Sequence, residues 1–289
     1  SIEGPVSVID SVTGQTIQVI EGSRGTEEIV LEEDCLYLVC DKTEKKKELQ
    51  RYPYSSGKKI HVRPKELFRV NLKSNEIVWK FNTKWCAPLS LCTDELHTYF
   101  FNGESIIALD KLSGKKKWSS PKLPVMKDMS TNFGPSVITY RNRILFTGGE
   151  NHVPYEGSRG KLIALSAQDG KILWESKSPA SGYQSPENMF VINGMVWQSE
   201  ITSGDWDVPN NGVTSGTGFE RGEELVNFGP SEEAYWFHHR CYPAKATEDY
   251  LILSRTGVEF VNIKTKKWDL HHWVRGACLY GIMPANGLL

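Results

Sequence analysis

The sequence predicts an all-β fold, a β-propeller of four-stranded antiparallel blades. Three observations carry that expectation. Two short motifs alternate along the whole chain, turn residues recur at fixed places inside each motif, and no amphipathic helix longer than two turns can be drawn.

The first motif is two apolar residues, a polar one, a short spacer, a turn residue, then a strand that runs to a Trp. It begins as Val8-Ile9-Asp10 with Thr13-Gly14-Gln15, and returns as Val70-Asn71 with Ser74-Asn75 and Trp79. Further copies are Ala108-Leu109-Asp110 with Ser113-Gly114 and Trp118, and Ala164-Leu165-Ser166 with Asp169-Gly170 and Trp174. Gly218-Phe219-Glu220 with Gly222-Glu223 is a degraded copy, and Val261-Asn262 with Lys266-Lys267-Trp268 a shortened one. Gly or Asn at the turn supplies the left-handed backbone that a tight, bulged hairpin needs. Trp79, Trp118, Trp174 and Trp268 are the expected blade-packing residues, because one large flat side chain per sheet is how radially stacked sheets cohere.

The second motif is a polar turn followed by an apolar strand, with turns at Asp34, Asp94, Asn142, Asn193, Asp249 and Asn286. Two hairpins make a blade, so full blades are expected at about 27–80, 87–119, 132–177, 186–228 and 243–270. The first 22 residues supply only the last two strands of a blade, and the final nine only the first two of another. Those halves would close a six-bladed ring, or the chain is part of an eight-bladed one; residues 1–289 are read as a single domain.

Composition narrows the function. The charge is −1, with 34 basic and 35 acidic side chains, which argues against a nucleic-acid partner. No apolar run is long enough for a transmembrane helix. The six cysteines include no C-x-x-C pair. Cys35 and Cys40 are expected on opposite faces of one strand, whereas Cys86 and Cys92 flank Pro88 and are placed to close a small loop.

The Leu109-Asp110, Ser113-Gly114-Lys115, Trp118 pattern resembles the PQQ-like repeat of quinoprotein dehydrogenases, and of an outer-membrane assembly lipoprotein that uses the same propeller without a quinone. Three C-terminal segments, Phe237–Pro243, Ser254–Phe260 and Trp273–Leu289, are similar to PQQ-binding-like propeller proteins common in planctomycete-type genomes. The resemblance implies a propeller fold, an exported (periplasmic or extracellular) location and, for the enzymes, PQQ with calcium. Those enzymes hold the quinone against adjacent cysteines, and this chain has no Cys-Cys pair.

The candidate ligand-binding residues are His238, His239 and Arg240 before the fifth blade, and His271, His272, Trp273 and Arg275 after it. Connections between blades run over the face where propellers bind ligands, so the two groups are expected to converge. His238, His239 and His271 with Cys241 and Cys278 would suit zinc or copper, and the arginines an anion. The alternative is that these side chains pack the blade interfaces, with Cys241 and Cys278 as a disulfide or as buried thiols. A second candidate is a Gly-rich loop, Gly148–Gly160, lengthening a hairpin of the third blade, in which His152 and Arg159 would meet a sugar or a cation; the alternative is a mobile surface loop. A third, Ser203–Gly212, has oxygen ligands suited to calcium but not the spacing of a calcium loop. The sequence therefore points to a binding propeller with a protein or carbohydrate partner on its loop face. The alternative is a quinone- or metal-dependent oxidoreductase.

Overall fold

The computed structural model describes residues 4–43, 63–124, 135–153, 157–181, 188–199, 213–231, 242–254, 257–274, 276 and 281–284. Among them there is no helix, and hence none long and apolar enough to cross a membrane. A two-stranded hairpin, β1 (Ser7–Ile9) and β2 (Thr16–Val19), precedes five four-stranded sheets. The first contains β3 (Thr26–Glu32), β4 (Cys35–Asp41), β5 (Lys65–Asn71) and β6 (Glu76–Thr83). The second contains β7 (Cys92–Thr93), β8 (His97–Phe101), β9 (Ile106–Asp110) and β10 (Lys116–Ser119). The third has β11 (Ser136–Tyr140), β12 (Arg143–Val153), β13 (Gly157–Ser166) and β14 (Ile172–Ser181). The fourth has β15 (Phe190–Ile192), β16 (Met195–Ser199), β17 (Thr214–Gly218) and β18 (Glu224–Phe228). The fifth has β19 (Lys245–Ala246), β20 (Tyr250–Leu253), β21 (Val258–Asn262) and β22 (Trp268–His271). Each sheet is ordered as its strands occur in the chain, the meander of a propeller blade.

The strand-turn-strand unit at the end of each blade follows from its sequence. The polar residue that closes the third strand folds over the turn: the Asp10 carboxylate accepts the Val12 and Thr13 amides at 3.0 and 2.7 Å, and the Asn71 side-chain oxygen those of Lys73 and Ser74 at 2.9 and 3.1 Å. Asp110 accepts the Ser113 amide at 2.8 Å, and Asn262 accepts those of Lys264 and Thr265 at 3.0 and 2.9 Å. The Ser113 hydroxyl, which donates to Asp110 at 2.7 Å, and these amide bonds hold the Asp110 carboxyl below the usual carboxylate range, and the Thr13 and Val12 bonds do the same for Asp10. The next residue in the turn is left-handed, at φ +71° for Gly14 and +68° for Gly114.

The chain divides into two compact units. The first comprises Ser1–Leu123, Val137–Ile144 and Ser166–Lys171, and the second Pro124–Ser136, Leu145–Leu165 and Ile172–Leu289. In the first unit, β4 is buried along both faces. Leu36, Leu38 and Cys40 pack with Phe68, Val70 and Ile20 beneath the β1–β2 hairpin. Cys35, Tyr37 and Val39 face the other way, with Leu67 and Trp79, onto Leu91, Phe100, Ile107 and Leu109 of the second sheet. A strand buried on both sides reads as an unbroken apolar run, which Cys35–Cys40 is apart from the Tyr37 hydroxyl. In the second unit, Trp197 and Ile192 of the fourth sheet pack on Leu251, Leu253, Val261 and Trp268 of the fifth.

Trp79, Trp118 and Trp174 join adjacent blades in one way. Each indole lies over the turn glycine of the next blade, so that a Cβ on Gly114 would stand 2.6 Å from the Trp79 ring. For Gly170 and Trp118 the distance is 2.6 Å, and for Gly222 and Trp174 it is 2.5 Å. Trp79 Nε1 donates to Lys111 O at 2.9 Å and Trp174 Nε1 to Phe219 O at 3.0 Å. Trp118 Nε1 has no partner among the described residues, and the corresponding carbonyl, Ala167 O, lies 3.2 Å from the Tyr99 hydroxyl oxygen.

Trp268 differs from these. It pairs with Val261 directly, whereas a bulge in the other blades sets Trp118 opposite Ala108 and Trp174 opposite Ala164. It stands six residues after Asn262, where Trp118 stands eight after Asp110, so it takes the register of Lys116, points to the opposite face of its sheet and packs back onto the fourth blade. The stretch read as a Gly-rich loop is also corrected. β12 continues to Val153 and β13 starts at Gly157, because β14 runs on to Ser181 and keeps β13 paired, Gly160 with Ser178 and Ser158 with Ser181.

Candidate functional site

The end of the fifth blade holds the part of the expected cluster that the structure describes. β22 carries His271, whose ring meets Phe260 edge-on at a centroid distance of 5.4 Å, and Phe260 meets Tyr250 at 6.4 Å. These three sit in a shallow groove of about 640 Å³ completed by Trp268, Asp269 and Leu270. After β22 the chain turns sharply, with the Val274 amide bonded to His271 O at 3.2 Å. Gly257 lies under that turn, where a Cβ would meet His271 O at 2.5 Å. The turn lifts His272 and Trp273 into solvent; Trp273 is 100% exposed and Met283, further along, 81%. His271 therefore lies along the sheet and His272 beside Trp273 on the turn.

His238, His239, Arg240, Cys241, Arg275 and Cys278 lie outside the described residues, as does Ser203–Gly212. His152 and Arg159 stand on β12 and β13. Among the described residues no three His, Cys, Asp or Glu side chains converge as a metal ion would require. Cys86 and Cys92 are free thiols and close no loop; burial pushes both well above the usual thiol range. Cys35 and Cys40 are free as well, on opposite faces of β4. The four described cysteines are thus separate thiols, which does not fit the paired-cysteine cradle of a quinone enzyme.

One half-buried polar site was missed from sequence. Glu28 on β3 reaches the connection that enters the second blade and accepts the Leu91 amide at 3.0 Å. That connection carries Leu89 in a left-handed conformation, φ +59°, so successive amides turn toward one side. Burial pushes the Glu28 carboxyl up to about 8, against the opposing pull of the Leu91, Ser90 and Leu89 amides. The carboxylate is one of three Glu in β3 (Glu27, Glu28 and Glu32), and its distant partner, 63 residues away, leaves no local signature in the sequence. Asp94, His97 and Tyr99 form a second polar group: Tyr99 donates to Asp94 at 2.7 Å and lies 3.1 Å from His97 Nδ1. It anchors the β7–β8 turn, since Asp94 also accepts the Leu96 and His97 amides, each at 2.8 Å.

Comparison with known proteins agrees with this architecture. Residues 102–205 match the family described as outer membrane protein assembly factor BamB. No curated protein matches the sequence. Among solved structures, BamB from Moraxella catarrhalis is similar at 13% identity and a TM-score of 0.58, over 96% of this chain and 72% of that one. The dihydro-heme d1 dehydrogenase NirN, solved in complex with DHE, is similar at 12% identity and a TM-score of 0.54. That likeness covers 92% of this chain and 52% of NirN, so the chain spans about half of NirN's length. At these identities the likeness concerns the fold.

Proposed function

We propose that this chain, a β-propeller of the PQQ-like type, is a protein-binding scaffold of the cell envelope whose partner docks at the end of the fifth blade. The observation that carries the reading is Trp273, a wholly exposed indole on a tight turn. Leaving so large an apolar surface in water is unfavourable by about 2 kcal/mol or more, and fixed aromatic side chains are the anchors that dominate protein interfaces. His272 and Val274, its neighbours on the turn, are exposed as well. A protein partner is favoured over a carbohydrate because the matching family is described as a protein assembly factor.

A photo-crosslinking amino acid placed at position 273 of the full chain, in cells of its source, tests this. The expected result is one discrete adduct that is missing from an identical probe at Leu112, an exposed position on a different turn, together with an unchanged melting temperature for Trp273→Ala. Equal, diffuse labelling at both positions would sink the reading. A quinone absorbance band or a stoichiometric metal in natively purified protein, without an adduct, would replace it with the oxidoreductase alternative.

A further inference from the structure

Where the first full blade meets the β1–β2 hairpin, the indole-on-glycine joint is missing. The residue in the Trp position, opposite Val8 on β1, is Gln18, and the left-handed turn residue of the receiving blade is Asn75, at φ +59°. This boundary is left open as a groove of about 670 Å³. Its apolar floor is Ile20, Val70, Ile77 and Val78, with Ile77 and Val78 more than a third exposed. Its rim carries Glu21 and Glu76, both exposed and neither in an ion pair among the described residues. The nearby Lys73 is already paired with Asp34. Apolar surface between two uncompensated carboxylates suits a cationic, amphipathic occupant: apolar side chains displace water from the floor while flanking cations meet the rim.

We infer that this groove docks an extended segment of a partner protein in which an aromatic or aliphatic residue stands between lysines or arginines. It lies wholly in the first unit and does not depend on the reading of Trp273.

The test uses the full chain, ¹⁵N-labelled, titrated with an acetylated Lys-Phe-Lys-Leu-Lys peptide amide and, as a control, with Glu-Phe-Glu-Leu-Glu. Saturable shifts of the amides of residues 18–21 and 70–78 are expected with the basic peptide, weakening at least tenfold in the Glu21→Lys/Glu76→Lys variant. Both positions are exposed, so that variant keeps its fold. Equal binding of the acidic peptide, shifts centred elsewhere, or no saturation by about 1 mM would overturn the inference. So would a concentration-dependent self-association that maps to the same amides, since the occupant would then be a second copy.

Discussion

The joints built on Trp79, Trp118 and Trp174 differ from those at Gln18 and Val226 in two residues, one on each side. Wherever the fourth strand offers a Trp, the next blade answers with a left-handed glycine, Gly114, Gly170 or Gly222. Where that position holds Gln18, or Val226 opposite Gly216, the answering left-handed residue is Asn75 or Lys266 instead. The turn geometry is the same in every case, so backbone strain alone does not demand glycine. The indole does, because it occupies the volume a Cβ would take. At Lys266 the freed space is used differently, with the ammonium 6.0 Å from the Phe228 ring centre. Trp and Gly thus act as a matched pair across a blade boundary, and an unmatched boundary is free to be a groove.

The largest effect should come from breaking a matched pair. Trp79→Ala should cost about 3–5 kcal/mol. Gly114→Ala, with its Cβ driven into the indole at positive φ, should cost about 3 kcal/mol. In the Trp79→Ala background the same Gly114→Ala change should cost no more than about 1 kcal/mol, since only the backbone strain remains. Urea denaturation of the four proteins measures this. An undiminished cost in the Trp79→Ala background would show that the glycine serves its turn alone.

A smaller effect is expected at Glu28, which joins blades by a polar contact. Its folded pKa of about 8 lies above the ordinary glutamate value of 4.5, so between those values the folded state holds a proton that the unfolded chain releases. Stability is therefore complete below the unfolded value and declines as the pH rises through about 8. Melting temperatures should fall by several degrees from about pH 5 to pH 9 in the native protein, and much less in Glu28→Gln, which keeps an acceptor for the Leu91 amide. Matching profiles for the two proteins would remove Glu28 from the account.

The unequal success of sequence reading follows the range of the interactions. Each hairpin is specified within about ten residues by an Asx-type turn, a left-handed residue and alternating strands, so the blade limits and the opposed faces of Cys35 and Cys40 could be read directly. Trp268 was grouped with the other Trp residues because the motif looked merely shortened; it is short by two residues, one of them the bulge, and the remaining one-residue shift in register flips the side chain. The Gly-rich run at 148–160 resembled a loop because glycine weakens any strand signal, and only pairing with a strand that reaches Ser181 rescues it. Glu28 and its amides, like the Trp–Gly pairs, join residues tens of positions apart, which a single chain's local pattern does not display. The His-Trp segment after the fifth blade was recognisable by composition, whereas the full exposure of Trp273 follows from a turn that only the folded chain reveals.

The matched-pair account is tested most directly by building a joint where none exists, with Gln18→Trp, Asn75→Gly and the two combined, compared by urea denaturation. Gln18→Trp alone should destabilise by about 1–2 kcal/mol, because the new indole meets the Asn75 side chain. Asn75→Gly alone should be within about 0.5 kcal/mol of the native protein. The combined variant should exceed the sum of the two by at least about 1 kcal/mol. Strict additivity of the two substitutions would contradict the account.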